Sequence, residues 1–96
     1  MKLHRKRFTQ GQLDLQQIIE SLGLETILEK QFGNYAIDIF CEEINKGFEY
    51  DGLGHDKKRD KVRDEFLLLN HGVVIMRIKD LKDQELKDKI MKFCEE

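Results

Sequence analysis

Apolar residues recur with helical spacing in three stretches of this 96-residue chain, and they crowd into short runs between those stretches. The first helix is predicted to follow Thr9, a residue type that caps helix N-termini, and to end at about Leu22, before Gly23. The other two are predicted from about Lys57 to Asn70 and from about Lys82 to Phe93. The predicted inward stripes are Leu15, Ile18 or Ile19, and Leu22 in the first helix, Val62, Phe66 and Leu69 in the second, and Leu86, Ile90 and Phe93 in the third.

Four short runs between these helices are typical of strands. They are Thr26–Phe32, Ala36–Phe40, the run GFEYDG that starts at Gly47, and Val73–Ile78. The last run is almost continuously apolar, which is typical of a strand buried on both faces. The order helix, three strands, helix, strand, helix predicts an α/β fold, αβββαβα, in which a small mixed sheet is flanked by helices.

The size and charge of the chain restrict its organisation and its partners. One domain is expected over residues 9–96, and residues 1–8 read as a basic arm or linker remnant. No apolar run is long enough to span a bilayer and no signal peptide is visible, so we expect a cytoplasmic protein without membrane contact. The formal net charge is −2, whereas autonomous DNA binders usually carry a basic surplus. Any role on nucleic acid would therefore depend on local basic patches or on a further domain.

Acidic residues interrupt two of the most strand-like runs, although burying them is costly. If the second and third strands form a hairpin with an even loop, Asp38 faces Glu49 or Asp51 directly across the pair. Like charges placed opposite each other are destabilising, so the pair requires a compensating cation. A divalent metal, Mg²⁺ or Mn²⁺, suits these oxygen ligands, and His55 in the following loop could activate a water. The alternative is that all four are surface residues on a twisted edge hairpin.

The start of the second helix is dense in charge, which is most often a solvated face. In the functional interpretation, a set of basic residues contacts the DNA backbone: Lys57, Lys58, Arg59 and Arg63. Asp60 could orient the ring of His55 by a hydrogen bond. Arg63 and Arg77 could bind phosphates or form structural ion pairs with Asp60, Asp64 or Asp80, and for Arg77 we favour the structural pairs.

Taken together, these motifs resemble a known nuclease family. The string FEYDGLGH, followed by D-x-x-R-D-x-x-L-x-x-x-x-G-x-x-x-x-R, resembles the endonuclease domain of the very-short-patch-repair type, and QFGNYAIDIF resembles its strand pair with the first catalytic aspartate. The resemblance covers about residues 9–80. It implies the restriction-endonuclease-like fold of the PD-(D/E)xK superfamily, and the nearest subgroup is the EDxHD homing endonucleases of phages and bacteria.

The resemblance also implies roles for individual residues. Asp38 matches the metal-binding aspartate, although Ile37 replaces the family's proline, and Glu49 matches the second acidic position, so both are expected to bind the metal. Asp51 stands where typical members have a lysine. The role of that lysine is then expected of His55, supported by Asp60 or, as an alternative, by Asp56.

Gln12 stands where the family has a glutamate at the start of the first helix. The pattern alone leaves two placements open for this side chain, either leaning over the end of the core or exposed on the first turn. A glutamine keeps the shape of a glutamate and loses its charge, so a true replacement at this position, natural or deliberate, predicts weak or absent cleavage. Natural variation, a deliberate inactivating change and a misalignment by one turn all remain open.

The function expected from the resemblance is a Mg²⁺-dependent endonuclease domain that hydrolyses phosphodiester bonds in double-stranded DNA. A separate DNA-binding domain is expected to supply sequence recognition, and the oligomeric state is open, a homodimer included. The alternative function is an inactive domain of nuclease fold that serves DNA binding or assembly.

Overall fold

The elements of the fold follow one another in the predicted order. The computed structural model describes residues 8–51 and 57–96. The elements are α1 (Gln10–Ser21), β1 (Ile27–Phe32), β2 (Tyr35–Cys41), β3 (Lys46–Tyr50), α2 (Lys57–His71), β4 (Val74–Ile78) and α3 (Leu86–Glu95). The predicted αβββαβα architecture is therefore confirmed.

The four strands form one mixed sheet in the order β1-β2-β3-β4. Neighbouring pairs β1–β2 and β2–β3 are antiparallel, whereas β3 and β4 are parallel and joined through α2. β4 therefore lies at an edge, and Val74 at its start is exposed. The predicted burial on both faces is found in part: Ile75 packs on one side of the sheet and Met76 and Ile78 on the other, but within β4 only Ile78 is fully covered.

Helices cover both faces of the sheet and divide the core into two clusters. The α1–α3 core consists of Leu15, Ile19, Ile39, Cys41, Phe48, Ile78, Leu86 and Ile90. The α2 core consists of Ile37, Phe40, Leu67 and Val73, with Phe32, Phe66 and Ile75 packed against it. No helix within residues 8–51 and 57–96 has the length and apolar character needed to cross a membrane.

Local hydrogen bonds set the ends of the helices. The Thr9 hydroxyl accepts a hydrogen bond from the Gln12 N–H at 3.1 Å, which confirms the predicted cap of α1. α3 begins four residues later than predicted. In that interval Asp80 accepts from the Lys82 N–H and Asp83 from the Glu85 N–H, both at 2.9 Å, so side-chain turns replace the first helical turn.

The inward face of α2 agrees with the predicted one only at Phe66, which packs against the α2 core. Val62 and Leu69 are 58% and 82% exposed, whereas Leu67 is fully buried. Arg63 and Asp64 lie four and three residues before Leu67, and both form ion pairs with residues of the sheet side. The prediction followed the apolar residues alone. It failed because this helix turns a largely charged stripe toward the sheet.

The alternation of side chains along β1 and β2 is interrupted at Glu29 and Asp38. Ile37 packs in the α2 core, whereas Ile39, two residues later, packs in the α1–α3 core. On β1, Glu29 has a positive φ of 54°, which is unfavourable for a residue other than glycine. Regular alternation would place Ile37 and Ile39 on one face. Both strands instead change faces at the site of the carboxylates, since on β1 Leu28 packs against the α1–α3 core and Phe32 against the α2 core.

Candidate active site

Asp38 and Glu49 meet between β2 and β3. The observed register pairs Ile39 with Phe48, and one further step places Asp38 opposite Glu49. The Asp38 N–H donates to Glu49 Oε2 at 2.9 Å, and the Tyr50 N–H donates to the Asp38 carboxylate. The expected meeting of carboxylates is thus found, and of the two alternatives Glu49, not Asp51, is the residue directly opposite.

Two arginines supply positive charge beside Glu49. Arg63 Nη2, from α2, lies 3.1 Å from Glu49 Oε1, and Arg77 Nη1, from β4, lies 4.0 Å from the same oxygen. Glu49 and Arg77 are register partners on the parallel strands β3 and β4. The compensating cation expected from the sequence is therefore present for Glu49 as guanidinium.

The pairing continues along α2 as a network of alternating charge. Arg77 Nη2 donates to both carboxylate oxygens of Asp64, at 2.8 and 2.9 Å. Arg77 Nη1 lies 3.5 Å from Asp60 Oδ2. Arg63 lies 3.7 Å from Asp60 as well. We call Glu49, Asp60, Arg63, Asp64 and Arg77 the carboxylate–arginine network. Within it the favoured structural pairing of Arg77 with Asp60 and Asp64 is confirmed.

Gln12 lies over the end of the core and is only 5% exposed. Its Nε2 donates to the Asp38 carbonyl oxygen at 3.1 Å and to Glu29 Oε2 at 3.2 Å. Of the two placements left open by the sequence, the exposed one is wrong. The amide of Gln12 connects α1 to the position where β1 and β2 change faces.

Burial and like charge disfavour ionisation of the central carboxyl groups. Burial, followed by the nearby Glu49 and Glu29, raises the pKa of Asp38 from 3.8 to about 7. Burial also raises the pKa of Glu49, although the hydrogen bond from the Asp38 N–H and the charges of Arg63 and Arg77 act in the opposite direction. A cation placed at Asp38 would relieve this cost.

Two further predicted site residues, Asp51 and Asp60, line a groove at the edge of the network. Lys57 and Arg77 also help to line this groove, whose volume is about 480 Å³. His55 and Asp56 lie outside the described residues, so their expected roles stay predictions, as does the basic arm, of which only Phe8 is described.

The four predicted DNA contacts separate into two environments. Lys57, Lys58 and Arg59 are exposed at the start of α2. Arg63 is different, because only 16% of its side chain is exposed and it lies against Glu49. The contact of all four with DNA stays a prediction.

Asp38 and Glu49 differ in how well they fit a divalent cation. Among residues 8–51 and 57–96, no three His, Cys, Asp or Glu side chains are grouped as a metal site. Mg²⁺ commonly takes only one or two carboxylates, and Asp38 fits that role because its buried charge lies beside other carboxylates. Glu49 fits poorly, since one of its oxygens binds an N–H and the other a guanidinium.

Sequence reasoning missed the link between Glu49 and Arg63. A signal was present in the helical spacing of Asp60, Arg63, Asp64 and Leu67, which places three charged residues on the same face as the one fully buried leucine of α2. A stripe of this kind indicates that charges on the neighbouring sheet are being paired.

Comparison of the chain with family models, with curated proteins and with solved structures returned no match. A function for the chain therefore has to come from the geometry around Asp38 and from the motifs in its sequence.

Proposed function

We propose that this chain is the catalytic domain of a metal-dependent DNA endonuclease that hydrolyses phosphodiester bonds. The observation that carries the proposal is the pairing of Asp38 with Glu49 between β2 and β3, under the buried side chain of Gln12. In the nuclease family that the motifs resemble, a metal-binding aspartate, a second acidic residue and a glutamate on the first helix occupy these three positions, and Gln12 replaces the glutamate here.

Asp38 is the residue that would hold Mg²⁺ or Mn²⁺. Bound there, the ion would activate a water and neutralise charge on the phosphate under attack. The protein itself fixes the carboxylate through the Tyr50 N–H and fixes the backbone of Asp38 from both sides, through Gln12 and Glu49. Such preorganisation is what a catalytic carboxylate requires, because misplacement by even 1 Å is costly.

Double-stranded DNA would approach along the start of α2. Lys57, Lys58 and Arg59 are exposed there, next to the groove that Asp51 and Asp60 line. In this proposal His55 acts as general base or acid and Asp60 supports it, by resemblance alone. Because the net charge is −2, a separate DNA-binding domain is expected to supply most of the affinity.

A second candidate function is an inactive domain of nuclease fold that serves DNA binding or assembly. The observation that favours it is the role of Gln12, which donates hydrogen bonds to two acceptors where the resembled family has a glutamate. A structural amide at this position would stabilise the fold without a metal.

Plasmid cleavage tests the two candidates against each other. The native chain, Gln12→Glu, Gln12→Glu/Asp38→Asn and the exposed control Gln17→Glu would be incubated with supercoiled plasmid and Mn²⁺ or Mg²⁺ at low salt, where weak DNA binding is strongest. We expect nicking or cutting from Gln12→Glu and its loss when Asp38 is also replaced. If Gln12→Glu folds and shifts the plasmid on a gel but does not cut it, the inactive module is the better description.

A further inference from the structure

We propose that Glu49 is a positioning residue for Asp38 and not a metal ligand, and that Arg63 is its permanent counter-ion. The inference rests on the proposed function, because it names the division of labour within the same site. It also departs from the sequence expectation, in which both carboxylates bind the metal.

Both carboxylate oxygens of Glu49 already have partners within the protein. Glu49 is 2% exposed, Oε2 accepts the Asp38 N–H at 2.9 Å, and Oε1 lies 3.1 Å from Arg63 Nη2. Arg77 Nη1 approaches Oε1 as well, at 4.0 Å. A metal at Oε1 would be placed beside two guanidinium groups, and like charges at this range repel strongly where water is scarce.

Arg63 has little freedom to withdraw and make room for a metal. Its side chain is mostly buried, and it projects from α2 one turn before Leu67, which is fixed in the α2 core. Its other acidic neighbours, Asp60 at 3.7 Å and Asp64 at 3.7 Å, hold it within the carboxylate–arginine network. Separating the pair would leave buried charge without compensation, which is strongly unfavourable.

The bond from the Asp38 N–H explains what Glu49 does instead. β2 changes faces at Asp38, and at that point its N–H binds the side chain of Glu49. Glu49 thereby holds the backbone of Asp38 in place where the strand departs from regular alternation. The Asp38 carboxylate is left with a backbone donor, the Tyr50 N–H, and is the oxygen ligand that this pair offers to a cation.

Manganese titration separates a positioning role from a ligand role. Mn²⁺ affinity would be measured by calorimetry for the native chain, Asp38→Asn, Glu49→Gln and Glu49→Gln/Arg63→Gln. The double variant keeps an amide oxygen for the Asp38 N–H and removes both charges of the pair. We expect it to retain the native Mn²⁺ affinity within about threefold and Asp38→Asn to lose at least about tenfold.

A folded double variant whose Mn²⁺ affinity falls as far as that of Asp38→Asn would overturn the inference, because it keeps an oxygen for the Asp38 N–H and only a ligand role of Glu49 would then have been lost. If the double variant fails to fold, Glu49→Gln alone decides. A loss as large as that of Asp38→Asn would then make Glu49 a ligand, and a smaller loss supports positioning.

Urea unfolding without metal tests the counter-ion by itself. Glu49→Gln and Arg63→Gln are each expected to lower the unfolding midpoint, and the double variant is expected to lower it by less than the sum of the two. The exposed Lys61→Gln is the matched control and should show no such coupling with Glu49→Gln. If the effects of Glu49→Gln and Arg63→Gln on the unfolding midpoint simply add, Arg63 is not the counter-ion of Glu49. A native chain that binds no Mn²⁺ would count against the proposed function, and the coupling would still decide on Arg63.

Discussion

The Gln12→Glu variant is expected to be less stable than the native chain when no divalent metal is present. The amide of Gln12 donates to the Asp38 carbonyl oxygen and to Glu29 Oε2, and both groups are acceptors. An ionised carboxylate has no hydrogen to donate, so the substitution removes both bonds and adds a negative charge about 3 Å from another acid. The shape of the side chain is unchanged, which isolates the electrostatic effect.

The size of the effect follows from these two contacts. Each hydrogen bond contributes about 0.5–1.5 kcal/mol net, so the loss of both costs about 1–3 kcal/mol. Repulsion from the half-buried Glu29 adds about 1 kcal/mol after solvent screening. The total loss of stability is about 2–4 kcal/mol. In a domain of this size, each kcal/mol lowers the melting temperature by about 4–8 °C.

Thermal and urea unfolding in EDTA at pH 8, followed by circular dichroism, would measure this loss. The deficit should shrink at pH 5, because the introduced carboxyl group then binds a proton and can donate again. Gln17→Glu is the matched control, since it makes the same chemical change at an exposed position of α1. If the two variants have the same melting temperature in EDTA, Gln12 does not make the described hydrogen bonds in solution and the reasoning is refuted.

Three further outcomes follow from burial and packing. Burial raises the pKa of Asp38 to about 7, so the native state binds more protons than the unfolded chain between about pH 4 and 7. Urea titrations in EDTA should show stability falling as pH rises through that window, and falling less in Asp38→Asn. Leu67→Ala should cost about 2–5 kcal/mol in the same assay, whereas Leu69→Ala should stay within about 0.5 kcal/mol. Gly47→Ala should lower the free energy of unfolding by about 1–3 kcal/mol, because its Cβ would lie 2.6 Å from Ile37 Cγ2.

The architecture could be predicted because the periodicity of apolar residues and the turn signals agree. The order of all seven elements follows from that pattern, and so does the inward placement of Leu86 and Ile90 on α3. The inward face of α2 did not follow. Hydrophobicity favoured Val62 and Leu69, but the sheet beneath this helix presents a carboxylate, and pairing that charge decided the orientation.

The sequence predicted which acidic residues meet at the candidate site, but it did not predict which residues pair with them. A hairpin with an even loop places Asp38 opposite Glu49 or Asp51, and the observed register selects Glu49. The nature of the cation did not follow, because Arg63 is fourteen positions away on another element and no local pattern joins it to Glu49. The positive φ of Glu29 could not be predicted either, because glutamate, unlike glycine, does not favour a left-handed backbone conformation.

The change of faces at Asp38 gives two similar residues different evolutionary partners. Ile37 and Ile39 look interchangeable in the printed sequence, yet one packs with Leu67 on the α2 side and the other with Leu15 on the opposite side. A change of volume at Ile37 can be compensated only by residues packed on the α2 side, and one at Ile39 only by residues on the α1–α3 side. Among natural variants, substitutions at these two positions should accordingly covary with opposite sides of the protein and not with each other.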